Sequence, residues 1–173
     1  MPPTVLEIKT LGEGVLRKAA RRVDEVTPND RNLLSRMAQT MYESSGIGLA
    51  APQVGVSKAM IVADIGSGLY KLVNPKVVRK EGKQVLEEGC LSIPGICVKV
   101  KRARRVWVAA LDEQGEPVTV EAGDLFACVL QHEIDHLSGK LIVDYASFFQ
   151  RARIKRQIKQ IPGGTANICK VRL

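Results

Sequence analysis

Residues 131–139, Gln-His-Glu-Ile-Asp-His-Leu-Ser-Gly, contain both histidines of the chain, four positions apart, with Glu133 directly after the first. This is the H-E-x-x-H pattern, in which two imidazoles share one helical face and can close on a single cation. With two histidines in a chain of this length, chance gives that spacing together with that glutamate about once in a thousand sequences. Residues i and i+4 differ by about 40° around a helix, so His132 and His136 can reach one ion. Glu133, about 100° from His132, can handle a proton on the ion's open side without being a ligand. The competing reading, two buried histidines bonded to backbone, is disfavoured by the pattern.

Outward from this motif, Asp124 is expected to cap a helix that runs to about Ser138, with Gly139 placed to end it. The inner face of that helix carries Leu125, Cys128, Val129, His132 and His136. A second helix is expected over 146–161, stopped by Pro162-Gly163-Gly164. Upstream, 29–44 reads as a helix with Leu33, Leu34, Met37 and Met41 on one face, ended by Ser45 and Gly46. Strands are expected at 59–65 and 70–73. From Cys97 to Leu111 β-branched residues partly alternate with basic ones, and beyond the turn at 112–115 the extended pattern resumes at 117–120, which predicts a hairpin. Strands first and a helix pair last is an α+β order in one domain, with no βαβ alternation.

Length and composition agree: 173 residues, 45% hydrophobic and 25% charged, suit one soluble domain with a real core. No apolar run is long enough to cross a bilayer, and the N-terminus lacks the pattern of a secretory signal, so a cytoplasmic enzyme is the expectation. Cys90, Cys97, Cys128 and Cys169 show no C-x-x-C pair, and such thiols are expected to be free or metal-binding; Cys97 and Cys128 read as small buried residues.

A catalytic metal usually has a third protein ligand and one open position. Downstream of the motif there is no further His and no Glu, and Asp144 is the only acid. An upstream ligand is therefore sought, and Cys90 within Glu87-Glu88-Gly89-Cys90-Leu91-Ser92 is the candidate. Its flanking glycine permits close approach of the backbone, and two imidazoles with a thiolate leave one site for water.

Three segments together resemble the peptide deformylases: GIGLAAPQVG at 46–55, EGCLS at 88–92 and QHEIDH at 131–136. The likeness extends over about 6–161. It implies a compact single domain over 1–161, with antiparallel β-sheets surrounding the H-E-x-x-H helix and a C-terminal helix; 162–173 is expected to be an irregular tail. It implies hydrolysis of the formyl group from the formylmethionine of newly made polypeptides. Carried over by motif position, Cys90, His132 and His136 bind one divalent ion and Glu133 is the acid/base. Ferrous iron is the expected ion in the cell, with zinc, nickel or cobalt as substitutes.

The same likeness makes the Gln53 amide and the Leu91 backbone N–H donors to the oxyanion. Without it, Gln53 reads equally well as a loop hydrogen-bonding residue. Gly46, Ile47 and Gly48 are expected to form an edge for an extended substrate, beside Glu88 and Gly89, with Gly48 leaving room for that approach. Ile47, Leu86, Leu125 and Val129 are candidate walls of a methionine slot, or ordinary core. Arg102 is a candidate partner orienting Glu88.

The net charge of +8 gathers at 99–105 and 151–159. Charge alone favours a solvated basic face; with the family likeness, the C-terminal helix becomes a candidate ribosome contact, and neither DNA nor membrane binding is expected. Two other readings compete: a metalloendopeptidase with Asp144 as third ligand, and an RNA-binding protein with a structural metal, which leaves Glu133 without a task.

Overall fold

The computed structural model describes residues 5–158 and 171–172. The first helix, α1 (Pro28–Glu43), starts where its sequence supplies a complete cap: Thr27 and Asp30 bond reciprocally, and Pro28 occupies the first turn. Strands β1 (Gly48–Ala50), β2 (Met60–Ala63), β3 (Tyr70–Glu81), β4 (Gln84–Cys90), β5 (Ile93–Arg102), β6 (Arg105–Leu111) and β7 (Pro117–Gly123) follow. Then come α2 (Asp124–Leu137), α3 (Phe148–Ile158) and a short β8 (Val171–Arg172). The strands form a five-stranded antiparallel sheet in the order β1-β2-β3-β6-β7 and a smaller sheet in the order β5-β4-β8. The α+β class and the sheets around the H-E-x-x-H helix are as expected.

The two helices α1 and α2 use opposite faces of the large sheet, and β2 shows why. All four of its residues are buried: Ile61 and Ala63 join the cluster under α2, while Met60 and Val62 join the cluster under α1. A strand buried on both faces loses the hydrophobic–polar alternation of an exposed one. A third cluster, with Cys90, Ile93, Val98, Val100, Leu141 and Ile142, fills the space between the small sheet and the chain after α2. Residues 126–133 of α2 are all buried, because both sheets wrap the helix.

Several expectations require correction. The stretch read as one alternating strand over 97–111 is two strands: the chain leaves the small sheet at Ala103 and enters the large one at Arg105. Only the second half forms the predicted hairpin with β7. Strand β3 runs eight residues past Val73, and β1 and β4 were not anticipated. Asp124 does not cap α2: its carboxylate accepts from Arg104 Nε at 2.8 Å, and Gly123 stands at the cap position. Gly139 does end the helix, with φ +71°, and a Cβ there would lie 2.6 Å from the Arg17 carbonyl oxygen, so no other residue fits.

Helix α3 begins two residues later than expected, and 159–161 lie outside the described residues. Most of the predicted irregular tail lies outside them too, but Val171 and Arg172 pair in parallel with Glu88 and Gly89 as β8, on the edge of β4 that β5 leaves unpaired. Cys128 is a buried free thiol as expected. Cys97 is half-buried and not fully buried, because the alternation of β5 turns Ile96 and Val98 inward and Cys97 outward, and it is disulfide-bonded and not free.

Candidate active site

Helix α2 and the β4–β5 hairpin bring the metal-binding candidates together. Cys90 Sγ lies 3.4 Å from His136 Nε2, and the two histidine Nε2 atoms are 3.2 Å apart. All three donor atoms fall within 4.8 Å of one another, and all three residues are buried. Tetrahedral ligation at metal–nitrogen and metal–sulfur lengths of about 2.0 and 2.3 Å separates two nitrogens by about 3.3 Å and nitrogen from sulfur by about 3.5 Å. The donor spacing and the donor chemistry therefore fit one divalent ion. Asp144 does not enter the cluster; it pairs with Arg17 at 2.7 Å and accepts from the Leu141 N–H.

The alternation of β4 explains the placement of Cys90. Leu86, Glu88 and Cys90 turn inward while Val85 and Glu87 are exposed. The register with β5 then breaks between the pairs Glu88–Val98 and Cys90–Ile93, and such an irregularity re-aims the side chains beside it.

Burial favours the neutral form of two of these donors, Cys90 and His136. Burial, then the nearby Glu133 carboxylate, pushes the Cys90 thiol up to about 12. Burial, then His132, pushes His136 well below the ordinary imidazole value. A divalent charge among these atoms reverses the balance for the thiol and favours thiolate.

Glu88 fixes His132. Its Oε2 lies 2.8 Å from His132 Nδ1, which sets the tautomer and leaves Nε2 free for the cluster. Arg102 grips the same carboxylate through Nε at 2.6 Å and Nη2 at 2.8 Å, so the anticipated Arg102–Glu88 pair exists. The Cys128 thiol adds a donor to Glu88 Oε1 at 3.1 Å. Burial raises the Glu88 pKa, but the Arg102 and His132 hydrogen bonds outweigh it and bring the group to about 2. Both Glu88 oxygens are thus bonded to side chains around it, one of them the His132 ring.

Glu133 is in the opposite condition. It is fully buried, neither carboxylate oxygen has a hydrogen-bond partner among the described residues, and burial holds its pKa well above the ordinary value. Gly48 makes room for it: a Cβ on Gly48 would lie 2.3 Å from Glu133 Oε1. The missing side chain of Gly48 thus accommodates Glu133, which is a different reason for a glycine than the substrate approach read from sequence. Gly46 is packed against the Leu91 side chain in the same way, at 2.8 Å from a Cβ built on it.

Gln53 makes the loop hydrogen bond that was read as one of its two roles. Its Oε1 accepts from the Ala50 N–H at 2.8 Å, and that bond aims Nε2 toward Ser92 Oγ at 3.2 Å and Cys90 Sγ at 3.5 Å. Leu91 follows Cys90 in the hairpin turn, half-buried against the α1 cluster. Ile47, Leu86 and Leu125 are half-buried against the cluster that contains Val129. Strand β1 ends the large sheet, and Gly46 and Ile47 lead into it. The backbone of Gly89 is already paired in register with Arg172.

Sequence reasoning missed two contributors. Gln131 clamps the crossing between the sheets, accepting from Ala103 N–H at 3.1 Å and donating to the Ala103 carbonyl at 3.0 Å. Ser92, fully buried, receives the Gln53 amide. The signal for Gln131 was available: a polar residue inside a run of buried apolar ones requires partners.

A sequence model of the polypeptide deformylase family matches residues 5–152. The peptide deformylase of Acetivibrio thermocellus is 51% identical over 137 residues, 79% of this chain and 81% of that one. The Thermoanaerobacter pseudethanolicus enzyme is 46% identical over 154 residues, 89% of this chain and 97% of that one. The crystal structure of the Legionella pneumophila peptide deformylase superposes with a TM-score of 0.87 at 41% identity, covering 91% of this chain and 95% of that one. The Ehrlichia chaffeensis enzyme in complex with actinonin gives 0.86 at 36% identity, covering 91% and 97%. A match over most of the length in sequence and in fold, in a chain that holds this buried cluster, places it in the peptide deformylase family.

Proposed function

We propose that this chain hydrolyses the formyl group from the N-terminal formylmethionine of newly made polypeptides and releases formate. The observation that carries the reading is the Glu133 carboxyl, buried and without a hydrogen-bond partner among the described residues, next in the chain to a histidine of the Cys90–His132–His136 cluster. A divalent ion held by those three residues supplies Lewis acidity toward water and carbonyl oxygen. Glu133 takes the proton of the attacking water on a carboxylate oxygen and returns it to the departing amine. The Gln53 Nε2–H and the Leu91 backbone N–H stabilise the oxygen of the formyl carbonyl as negative charge develops on it. Glu88 acts through His132, held in turn by Arg102.

The substrate backbone lies extended along the segment of Gly46, Ile47 and Gly48 at the open end of the large sheet. Its methionine side chain enters between Ile47, Leu86, Leu125 and Val129. A peptide reaching Gly89 meets an edge that β8 also uses. Ferrous iron is the ion in the cell, and the protein works in the cytoplasm; among the described residues no helix is long and apolar enough to cross a membrane.

The test is formate release from formyl-Met-Ala-Ser by protein prepared anaerobically with ferrous iron, beside Glu133→Ala loaded equally. Release by the first and none by the second is expected; no release from folded, loaded wild type refutes the reading.

Helix α3 is the face offered to the ribosome. Arg153, Lys155 and Arg156 are exposed, and the solvent-exposed rings of Phe148 and Phe149 stand at its start. Arg151 has another task, since its guanidinium binds the Ala146 and Asp144 carbonyl oxygens. Replacing Arg153, Lys155 and Arg156 by Ala is expected to weaken cosedimentation with ribosomes and spare activity on a free peptide. Unchanged cosedimentation at low salt overturns this contact.

A further inference from the structure

Arg102 uses only part of its guanidinium on Glu88. Its remaining amino group, Nη1, donates to Asp135 Oδ2 at 2.8 Å and reaches the Tyr145 hydroxyl at 3.3 Å. The Tyr145 hydroxyl in turn donates to Asp135 Oδ2 at 2.6 Å. The Tyr145 ring is itself fixed by two cations, Arg102 at 5.1 Å and Lys140 at 4.1 Å from its centroid. None of these residues touches the donor cluster or the reacting atoms, so the mechanism above makes no use of Asp135 or Tyr145.

We propose that Asp135 and Tyr145 are positioning residues of the metal site: they lock the Arg102 guanidinium, which locks Glu88, which sets the His132 ring. Four chain segments meet in this chain of bonds: β4 through Glu88, β5 through Arg102, α2 through His132 and Asp135, and the turn after α2 through Tyr145. His132 and Asp135 are three apart on α2, and Arg102 holds both, the first through Glu88 and the second directly. A rotation of α2 against β5 therefore breaks two charged contacts at once, so the helix cannot turn its imidazoles away from Cys90 independently of the small sheet. Without the outer arm, a bidentate pair alone fixes the plane of the guanidinium but leaves its long stem free to carry Glu88 with it. Outer partners of metal ligands tune affinity by about 10- to 100-fold.

This inference rests on the metal-binding reading of Cys90, His132 and His136 but not on the formyl substrate. The test uses full-length protein loaded with cobalt(II), as wild type, Tyr145→Phe and Asp135→Asn. Release of cobalt to a chelator is expected to be about 5-fold faster in Tyr145→Phe, which removes the hydroxyl's bonds to Asp135 and Arg102, and about 10-fold faster in Asp135→Asn. The visible ligand-field bands should shift in both variants, and kcat on formyl-Met-Ala-Ser should fall with KM unchanged. A lower Tm with unchanged release rate and unchanged bands overturns the proposal, because a merely structural contact gives that pattern. Faster release and shifted bands in a protein whose wild type releases no formate uphold the positioning role while refuting the proposed reaction. Tyr145→Phe loses a single oxygen atom, so it carries the test if Asp135→Asn does not fold.

Discussion

Gly48→Ala isolates the role of Glu133 without touching a metal-binding candidate. The new methyl carbon would stand 2.3 Å from Glu133 Oε1, 2.9 Å from Cδ and 3.0 Å from Cγ. Ordinary contact requires about 3.5 Å or more, so the carboxyl must retreat by roughly 1 Å. Gly48 does not have a positive φ, so alanine brings no backbone strain and the clash is the whole perturbation. Misplacing a reacting group by about 1 Å costs on the order of 100-fold in rate, and overfilling a tight site costs about 1–3 kcal/mol. We expect kcat to fall about 100-fold with KM little changed, because the methyl points at Glu133 and not at the outer edge of β1. Metal content should stay at one equivalent. A double-mutant cycle completes the assay: in Gly48→Ala/Glu133→Ala the methyl has nothing to meet, so the stability loss caused by Gly48→Ala should disappear. Wild-type kcat in Gly48→Ala, or an undiminished stability loss in the double variant, would refute the packing of Gly48 on Glu133.

Three further outcomes follow from the same contacts. Cys90→Ala should bind less than stoichiometric metal and lose turnover, as measured by metal analysis after gel filtration; retention of both would return Asp144 to consideration. The Glu88 carboxyl, brought to about 2 against a usual 4.5, contributes stability that is fully present above pH 4.5 and lost as pH falls toward 2. Denaturant titrations of metal-free protein should show this acid loss, on the order of 3 kcal/mol, strongly reduced in Glu88→Gln; an unchanged slope in the variant refutes the assignment. Gln131→Leu removes the partner of the Ala103 N–H, while Gln84 Nε2 still donates to the Ala103 carbonyl at 3.2 Å, so a stability loss of about 1–2 kcal/mol is expected with metal content unchanged. Loss of metal there would mean that the crossing of the chain between the sheets also sets the site.

The parts of the fold that were legible in the sequence are those whose local code and tertiary role agree. The apolar face of the helix expected over 29–44 was legible, and α1 begins one residue earlier, at Pro28, where Thr27 and Asp30 complete the cap. The alternation of β6 and the turn at 112–115 produce a hairpin with β7 as expected. Strand β4 was invisible because its inward residues are Leu86, Glu88 and Cys90, so a search for alternating apolar residues finds a carboxylate where a core residue should be. The division of 97–111 into two strands was hidden for a related reason. The chain changes sheets at Ala103, and what holds the crossing is the side chain of Gln131, a contact 28 residues away. The Asp124 cap failed because its carboxylate found Arg104 first. At the site, the identities of Cys90, His132, Glu133 and His136 were legible from pattern and family likeness, but the reason for Gly48 was not, since it depends on a side chain 85 positions away.

The condition of the two inner glutamates shows how one apolar shell yields opposite chemistry. Glu88 and Glu133 are both fully removed from solvent, and burial raises the pKa of each. Four donor contacts, two of them from Arg102, overturn that effect at Glu88 and make it a permanent anion. Glu133 has no such partner among the described residues, so nothing there offsets the effect of burial on its charge. An anion fixed by protein donors can orient a ligand but cannot exchange a proton near neutral pH. A carboxyl left without partners is costly to the fold, yet it alone can change protonation in response to a cation and a substrate. The opposite condition of the two carboxyls, on which the proposed division between positioning and proton transfer rests, therefore follows from Arg102 reaching one of them with two of its nitrogens and not bonding the other.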